Sequence, residues 1–302
     1  MKCIRLGSKL VVAGFVTLGF SSLASAQATR TWISGVGDDA NPCSRTAPCK
    51  TFAGAISKTA ASGEIDCLDP GGFGAVTITK AITLDCGSGV GSILVSGTNG
   101  IVINSTTAGD SITIRNITLE GLGAGLSGVS IVAASQVHLE HVKIHNFTSA
   151  GVQVAATAAV NLSMSDVTIA ADNATGSGVS MTTTSGLAVA ELDNVHIWNT
   201  HPGLQGKANS IWTVRNSDLS FNGVGVKAFE AGVVMNLINC QLASNTTAVQ
   251  SVAGSTIRVM GSTISHNGTA FNPNSGTILS DGLNNVNGNS ASGSVTGSTT
   301  QM

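Results

Sequence analysis

The chain has 302 residues, of which 10% are charged and 42% are hydrophobic, and it contains 37 glycines and no tyrosine. Its 14 Lys and Arg residues against 16 Asp and Glu residues give a net charge of −2, which argues against a nucleic-acid or anionic-membrane partner because both require a basic face. The abundance of Gly, Ser, Thr, Val and Asn favours short strands joined by tight turns over helices.

The first 26 residues have the three parts of a secretory signal peptide. Lys2, Arg5 and Lys9 form a basic start, residues 10–20 are apolar, and residues 24–26 (Ala-Ser-Ala) match a cleavage site. The apolar stretch is too short to span a bilayer, and no later stretch of about 20 apolar residues exists. We therefore predict an exported protein, periplasmic or secreted, without a transmembrane segment. Removal of residues 1–26 takes away three basic residues and no acidic one, so the net charge becomes −5.

Five cysteines follow the predicted cleavage site, and four of them lie before residue 90. In an exported protein this clustering predicts two disulfides. Three pairings are possible, and proximity favours Cys43–Cys49 and Cys67–Cys86. A zinc site is the competing interpretation, but the spacings lack the CxxC pairs that it would need, so we expect no metal and no cofactor. Cys240 is left over and is expected to be a buried thiol that behaves as a small apolar residue.

Residues 51–59 predict a short helix near the N-terminus. Thr51 can cap its first turn, and Phe52, Ala55, Ile56 and Thr59 then share one face. With the disulfides, this helix is expected to form an N-terminal cap over residues 27–74 that closes the end of the following domain.

A unit that recurs seven times between residues 112 and 264 predicts the architecture of that domain. Each copy has a short apolar strand, one residue of a type that tolerates positive φ, and a second short apolar strand. The spacings between these special residues are 25, 25, 28, 22, 23 and 22 residues, which is the length of one coil of a three-stranded β-solenoid. The special residues are Asn116, His141, Asp166, Asn194, Asn216, Asn239 and Gly261.

A third strand follows most copies and begins with Gly-Val, as at residues 128, 151, 178 and 223. Stacked coils pair every strand with its neighbours above and below, about 4.8 Å apart, so inward apolar residues form a continuous core. An asparagine often precedes this strand and could form a hydrogen-bonded ladder; the residues are Asn146, Asn199, Asn222, Asn245 and Asn267. We predict an all-β fold with about eight or nine coils over residues 75–282, followed by a low-complexity tail over 283–302 that is too polar to order itself.

The repeat resembles the pectate-lyase-like superfamily of right-handed parallel β-helices over about residues 75–280. The segment Asp39-Ala40-Asn41-Pro42, followed by residues 48–56, is similar to the N-terminal segment of many exported bacterial β-helix proteins. The resemblance implies a protein that acts on polysaccharides, with the substrate lying along the sheet of Gly-Val strands. In that superfamily, lyases place calcium-binding aspartates and an arginine base there, and hydrolases place aspartates and a histidine.

The outward positions of the Gly-Val sheet do not carry these groups. We assign them to Val102, Ser130, Gln153, Ser180, Gln205 and Gly225. Acid–base catalysis needs titratable groups beside the substrate, and glycoside cleavage normally needs two carboxylates. No catalytic residue is therefore identified, and inherited lyase or hydrolase activity is not expected.

The sheet after the special residue is chemically richer. His196, Trp198 and Asp218 are predicted to lie on adjacent coils, with Lys143 and His145 two coils away. An exposed tryptophan beside polar groups is typical of a sugar-binding surface. The alternative interpretation is an ordinary solvated β face. Arg115 and Glu140, which share a column, are expected to form a surface ion pair.

Three functions remain open on this basis. The leading hypothesis is an exported β-helix that presents an extended surface to a polysaccharide or another cell-envelope component, without chemistry. The alternative is a carbohydrate-active enzyme, a polysaccharide lyase or glycoside hydrolase, that uses the face with His196 and Asp218 or a site on the loops. A structural or adhesin role is a third interpretation.

Overall fold

The computed structural model describes residues 27–87, 91–171, 176–252 and 254–299. The predicted signal peptide lies outside these ranges. No helix within them is long and apolar enough to cross a membrane.

Short strands make up most of the fold, and α1 (Phe52–Ile56) is the helix that interrupts them near the N-terminus. In chain order the strands up to the middle of the chain are β1 (Ala28–Ile33), β2 (Thr59–Cys67), β3 (Gly71–Gly72), β4 (Val76–Ile78), β5 (Ile82–Asp85), β6 (Gly91–Leu94), β7 (Ile101–Asn104), β8 (Ser111–Arg115), β9 (Ile117–Ala133), β10 (Gln136–Glu140), β11 (Lys143–Ala156), β12 (Val160–Ser165), β13 (Thr168–Ala170) and β14 (Ser177–Thr183). The remaining strands are β15 (Ala188–Asp193), β16 (His196–Trp198), β17 (Leu204–Gly206), β18 (Ser210–Arg215), β19 (Asp218–Leu219), β20 (Val224–Ala228), β21 (Val234–Ile238), β22 (Gln241–Ala243), β23 (Thr247–Ser251), β24 (Thr256–Met260), β25 (Thr263–Ser265), β26 (Thr269–Asn272), β27 (Thr277–Ser280), β28 (Asn285–Asn287), β29 (Ala291–Gly293) and β30 (Gly297–Ser298).

These strands stack as the coils of a parallel β-helix, which confirms the predicted fold. Sheet 1 contains twelve strands in the order β1-β2-β5-β8-β10-β12-β15-β18-β21-β24-β27-β30. Sheet 2 runs through β6, the first parts of β9 and β11, then β13, β16, β19, β22, β25 and β28. Sheet 3 runs through β4, β7, the later parts of β9 and β11, then β14, β17, β20, β23, β26 and β29.

The corner between sheets 1 and 2 is a single residue with left-handed geometry on each coil. All seven special residues of the repeat have positive φ, between 50° and 61°. Their side chains also bond along the stack, since the Asn216 amide donates to Asp193 at 2.8 Å and the Asn239 amide donates to Asn216 at 2.7 Å. One residue therefore turns the chain sharply and links successive coils.

Inward residues of the three sheets form one continuous core. Ile114, Leu139, Met164, Leu192 and Val214 pair in register along sheet 1, and all are buried. Burial of such columns is the main stabilising contribution, at about 1.5–3 kcal/mol for each fully buried aliphatic side chain.

A second asparagine ladder, buried at all but its last residue, stands at the corner between sheets 2 and 3. Asn222, Asn245, Asn267 and Asn289 each accept a backbone N–H from the coil before through the side-chain oxygen. Each amide also donates to a sheet 2 carbonyl, such as Leu219 for Asn245 at 2.9 Å. The ladder thus satisfies backbone groups that the turn leaves unpaired inside the protein.

The predicted single set of turn asparagines was wrong in part, because it mixed two adjacent positions. Asn146 and Asn199 have positive φ and lie one residue before the ladder position. After Asn199, the ladder position is occupied by Thr200, whose N–H and hydroxyl both donate to Asn222.

The N-terminal segment is more than a cap. β1 and β2 pair in parallel with each other, and β2 pairs with β5, so sheet 1 begins at residue 28 and not near residue 75. Thr51 caps α1 as predicted, accepting from the Gly54 N–H at 2.9 Å. Both predicted disulfides, Cys43–Cys49 and Cys67–Cys86, are confirmed. The loop between the first pair covers the free edge of β1 through backbone hydrogen bonds.

The C-terminal segment also differs from the prediction of an unordered tail. Residues 285–298 form β28, β29 and β30, which pair in parallel with β25, β26 and β27. Backbone pairing and the Asn289 rung order this coil although it buries little apolar surface. Leu283, Val286 and Val295 stay exposed on it, because no further described coil covers them.

Candidate functional site

The exposed face of sheet 2 brings the predicted ligand-binding residues into two straight columns. The first contains Lys143, Thr168, His196 and Asp218 in consecutive register. The second contains His145, Ala170 and Trp198. His196, Trp198 and Asp218 therefore lie on adjacent coils, and Lys143 and His145 lie two coils before His196.

Trp198 is the large apolar side chain at the centre of this face. It is 37% exposed and is flanked in its column by the small residues Ala170 and Ser220. Because both neighbours are small, no long side chain of this column covers the exposed part of the indole, and a flat ligand can lie against it. Stacking of this kind on a half-exposed tryptophan is well suited to a sugar ring.

The polar residues beside Trp198 bond within their own coils. The imidazole of His196 lies 3.2 Å from the Asn194 side-chain oxygen, and the Ser220 hydroxyl donates to Asp218. Within the described ranges, no ion pair joins His196 to Asp218. These contacts fix the two side chains separately, and they do not form a His–Asp dyad.

Carboxylates are too sparse on this face for the usual glycosidase mechanism. Its two outward columns carry Glu120 and Asp218, which the register places four coils apart. At about 4.8 Å for each coil, that separation is about 19 Å. A pair of catalytic carboxyl groups normally lies about 5–10 Å apart, so these two cannot act on one bond.

Sheet 3 required one correction to the predicted face. The residue in register with Gln205 is Lys227, not Gly225, which pairs two residues earlier. The outward column is Thr77, Val102, Ser130, Gln153, Ser180, Gln205, Lys227, Gln250 and Asn272. This row of amides and hydroxyls can donate and accept hydrogen bonds, but it has no carboxylate or histidine. The Lys227 ammonium lies 4.7 Å from the centre of the Phe229 ring.

The N-terminal end of sheet 1 carries a charged cluster that the sequence interpretation missed. Arg30 pairs with Asp66 at 2.5 Å and with Glu64 at 3.0 Å. Arg115 pairs with Asp85 at 2.8 Å on the preceding coil, so the predicted pairing with Glu140 was wrong. The alternation Arg30-x-Trp32 opposite Glu64-x-Asp66 is the sequence signal that could have identified this cluster.

The net effect of hydrogen bonds and partial burial is to raise the pKa of one carboxyl group of the cluster, Glu64, and to lower the pKa of another, Asp85. A hydrogen bond with Asp66, together with burial, raises the pKa of Glu64 above its usual value. Burial opposes ionisation of Asp85, but hydrogen bonds from Asn116, Gly87 and Arg115 outweigh it and lower the pKa of that carboxyl. A groove of about 470 Å³ opens beside the cluster and is lined by Arg30, Trp32, Arg45, Asp66, Cys67, Leu68, Asp85 and Gly87. Since most of its charges are already paired, we assign the cluster to stability.

Within the described ranges, no group of three or more His, Cys, Asp or Glu side chains lies close enough together to hold one metal ion. Cys240 is a free, buried cysteine, as predicted, and burial raises the pKa of its thiol.

Comparisons with known proteins identify the fold. No protein-family model and no curated protein matches the chain. The solved structure of pectate lyase Pel9A matches with a TM-score of 0.63 and 12% identity, covering 89% of this chain and 80% of that chain. A rhamnogalacturonan lyase matches with a TM-score of 0.43 and 12% identity (83% and 75% covered), and the A-module of Azotobacter vinelandii mannuronan C-5 epimerase AlgE6 with 0.31 and 14% (82% and 92%). The chain therefore has the right-handed parallel β-helix fold of pectate lyase.

Proposed function

We propose that this protein binds a polysaccharide along the exposed face of sheet 2, centred on Trp198, and does not itself cleave the chain. The observation that carries the proposal is the half-exposed indole between the small residues Ala170 and Ser220, with His196 and Asp218 beside it. Lys143 and His145 extend the same face by two coils.

The shape of the fold supports a long ligand over a small one. The strands of sheet 2 pair in parallel and in register, so its outward side chains form columns along the long axis that an extended ligand can follow. The structural neighbour with a TM-score of 0.63 is named as a pectate lyase, so a β-helix of this architecture can act on a polysaccharide. The two disulfides favour an oxidising compartment outside the cytoplasm, where a cell-envelope polysaccharide would be met.

The wide separation of Glu120 and Asp218 favours binding over cleavage. The His196–Asp218 alternative lacks a supporting contact, since each side chain bonds within its own coil. An enzyme of the lyase or hydrolase class would need groups on the loops to replace them.

Affinity electrophoresis of the purified chain against a panel of neutral and acidic polysaccharides tests the proposal. We expect retardation by at least one polymer, and Trp198→Ala should weaken it about fivefold, which corresponds to the loss of about 1 kcal/mol of stacking. Phe229→Ala is the matched control, because Phe229 is similarly exposed but lies beyond sheet 3.

Two results would overturn the proposal. One is wild-type affinity in Trp198→Ala, and the other is the release of shortened products with defined ends from any polymer in the panel. In the second case, His196→Ala and Asp218→Ala would show whether this face carries the chemistry.

A further inference from the structure

Phe221 stands out at the corner between sheets 2 and 3. It follows β19 and has a φ of +59°. Its carbonyl accepts the Asn199 N–H of the preceding coil at 3.2 Å, and its own N–H donates to Ala243 of the next coil at 2.9 Å. Phe221 therefore occupies one rung of a column of equivalent corner residues.

From Asn146 onwards, the other described residues with positive φ in this column are ones that tolerate that geometry. They are Asn146, Asn199, Ser244, His266 and Gly288, with φ between 56° and 64°. Left-handed backbone brings Cβ close to the following carbonyl oxygen, and a bulky apolar side chain offers no local hydrogen bond in return. Phenylalanine is thus the conformationally unfavourable choice at this corner.

Burial does not offset this cost. The Phe221 side chain is 64% exposed, so it contributes little to the core. Outliers that persist without a packing benefit are found mainly at functional sites. The observed geometry therefore points to a role for the ring outside the fold itself.

Trp198 lies one residue and one coil away, because Asn199 and Phe221 are paired across the two coils. The two exposed rings thus stand on adjacent coils at the same edge of sheet 2. Their separation along the axis is one coil, about 4.8 Å, which is close to the length of one pyranose unit in an extended chain. Ala170, Ser220 and Ala243 are small, so no long side chain of this column projects beside the two rings.

Charge around the two rings favours an uncharged ligand. In the first outward column of sheet 2, the residues on the same and neighbouring coils are Thr168, His196, Asp218 and Gln241. This set contains one carboxylate and no Lys or Arg, so it offers no fixed cation beside the two rings. Lys143 lies two coils before His196, and Lys227 lies on sheet 3.

We propose that Phe221 and Trp198 form a two-ring platform that stacks on consecutive sugars of a neutral, extended pyranose chain running along the long axis. The inference rests on the proposed polysaccharide-binding function and adds to it a second contact residue and the class of glycan.

The substitution Phe221→Asn separates a binding role from a structural one. Asparagine occupies the same corner position at Asn146 and Asn199, so the variant should have a higher Tm than the wild type. It should also bind neutral β-1,4-linked hexasaccharides of glucose, xylose or mannose about fivefold more weakly. Ser244→Asn is the matched control, which changes the next residue of the column and should leave affinity unchanged.

Each other outcome is decisive. Wild-type affinity in Phe221→Asn, or a loss of Tm together with binding, would overturn the role of the ring. Preference for a galacturonate hexasaccharide over all three neutral ones would overturn the glycan class. If the wild type binds no saccharide or polysaccharide at all, the proposed function itself fails, whereas binding that ignores Phe221 removes this inference alone.

Discussion

The side-chain oxygen of Asn267 accepts two hydrogen bonds from Asn245, one from the backbone N–H at 2.8 Å and one from the side-chain amide at 3.0 Å. Both residues are buried at the corner between sheets 2 and 3. No water can take over these bonds there, so each rung fixes the distance between two coils. The ladder supports the corner immediately beside Phe221.

Removal of one rung should be costly. We expect Asn245→Ala to lower the free energy of unfolding by about 2–6 kcal/mol. The Asn222 N–H and the Leu219 carbonyl each lose a hydrogen-bond partner, and each buried polar group left without one costs about 1–3 kcal/mol. Urea titration followed by circular dichroism measures the change. Asn287→Ala removes an exposed asparagine and should change the value by less than about 0.5 kcal/mol.

The two disulfides should differ in their contributions. Cys67–Cys86 closes the longer loop, with a sequence separation of 19. Replacing these two cysteines with serine should lower the free energy of unfolding by about 3 kcal/mol. The Cys43–Cys49 pair has a separation of 6, and its double serine variant should lose less, since the chain-entropy contribution grows with loop length. Denaturant unfolding without reductant compares the two, and a larger loss for the shorter loop would contradict the entropic explanation.

Stability should fall in acid partly through Asp85. The lowered pKa of this carboxyl means that its ionised form stabilises the folded state above the unfolded pKa of about 3.9, and that this contribution disappears as the pH falls below it. Asp85→Asn should therefore be less stable than the wild type at pH 7, with a difference that shrinks towards pH 2. Thr83→Val, on the same strand, adds no titrating group and should keep the wild-type pH profile. Parallel profiles for wild type and Asp85→Asn would contradict the prediction.

Cys240 should be inert towards thiol reagents while the protein is folded. Burial both blocks access and raises the pKa of the thiol, which leaves little of the reactive thiolate at pH 8. A chain from Gln27 onwards should release no chromophore from a thiol-reactive disulfide until denaturant is added, and then one equivalent. Ser244→Cys places a thiol on the exposed corner of the same coil and should react at once.

The architecture was predictable because its main signal is local. A residue that tolerates positive φ, such as Asn116 or Asn216, is recognisable by type and recurs once for each coil. Period-2 alternation on both sides then assigns the inner and outer columns, and sheet 2 was placed in the correct register from this pattern alone.

Details that depend on a choice between equivalent neighbours were not predictable. Gly-Val occurs twice in residues 223–226, so the sequence fits two registers and the wrong one hid Lys227. Arg115 has an acidic neighbour on each side, Asp85 and Glu140, and only the side-chain conformation selects between them. The position of Phe221 was not predicted, because a phenylalanine in a sequence indicates neither an exposed side chain nor a left-handed backbone.

Leu283, Val286 and Val295 are exposed on the last described coil, which indicates that unfolding begins at this end of the molecule. In a stack where each layer touches only its two neighbours, a layer with one neighbour opens most easily. Amide hydrogen exchange should therefore be fastest in β28, β29 and β30 and slow progressively towards the disulfide-bonded end. Opening would proceed layer by layer from the last described coil, so it would reach the aromatic platform before the disulfide-bonded end.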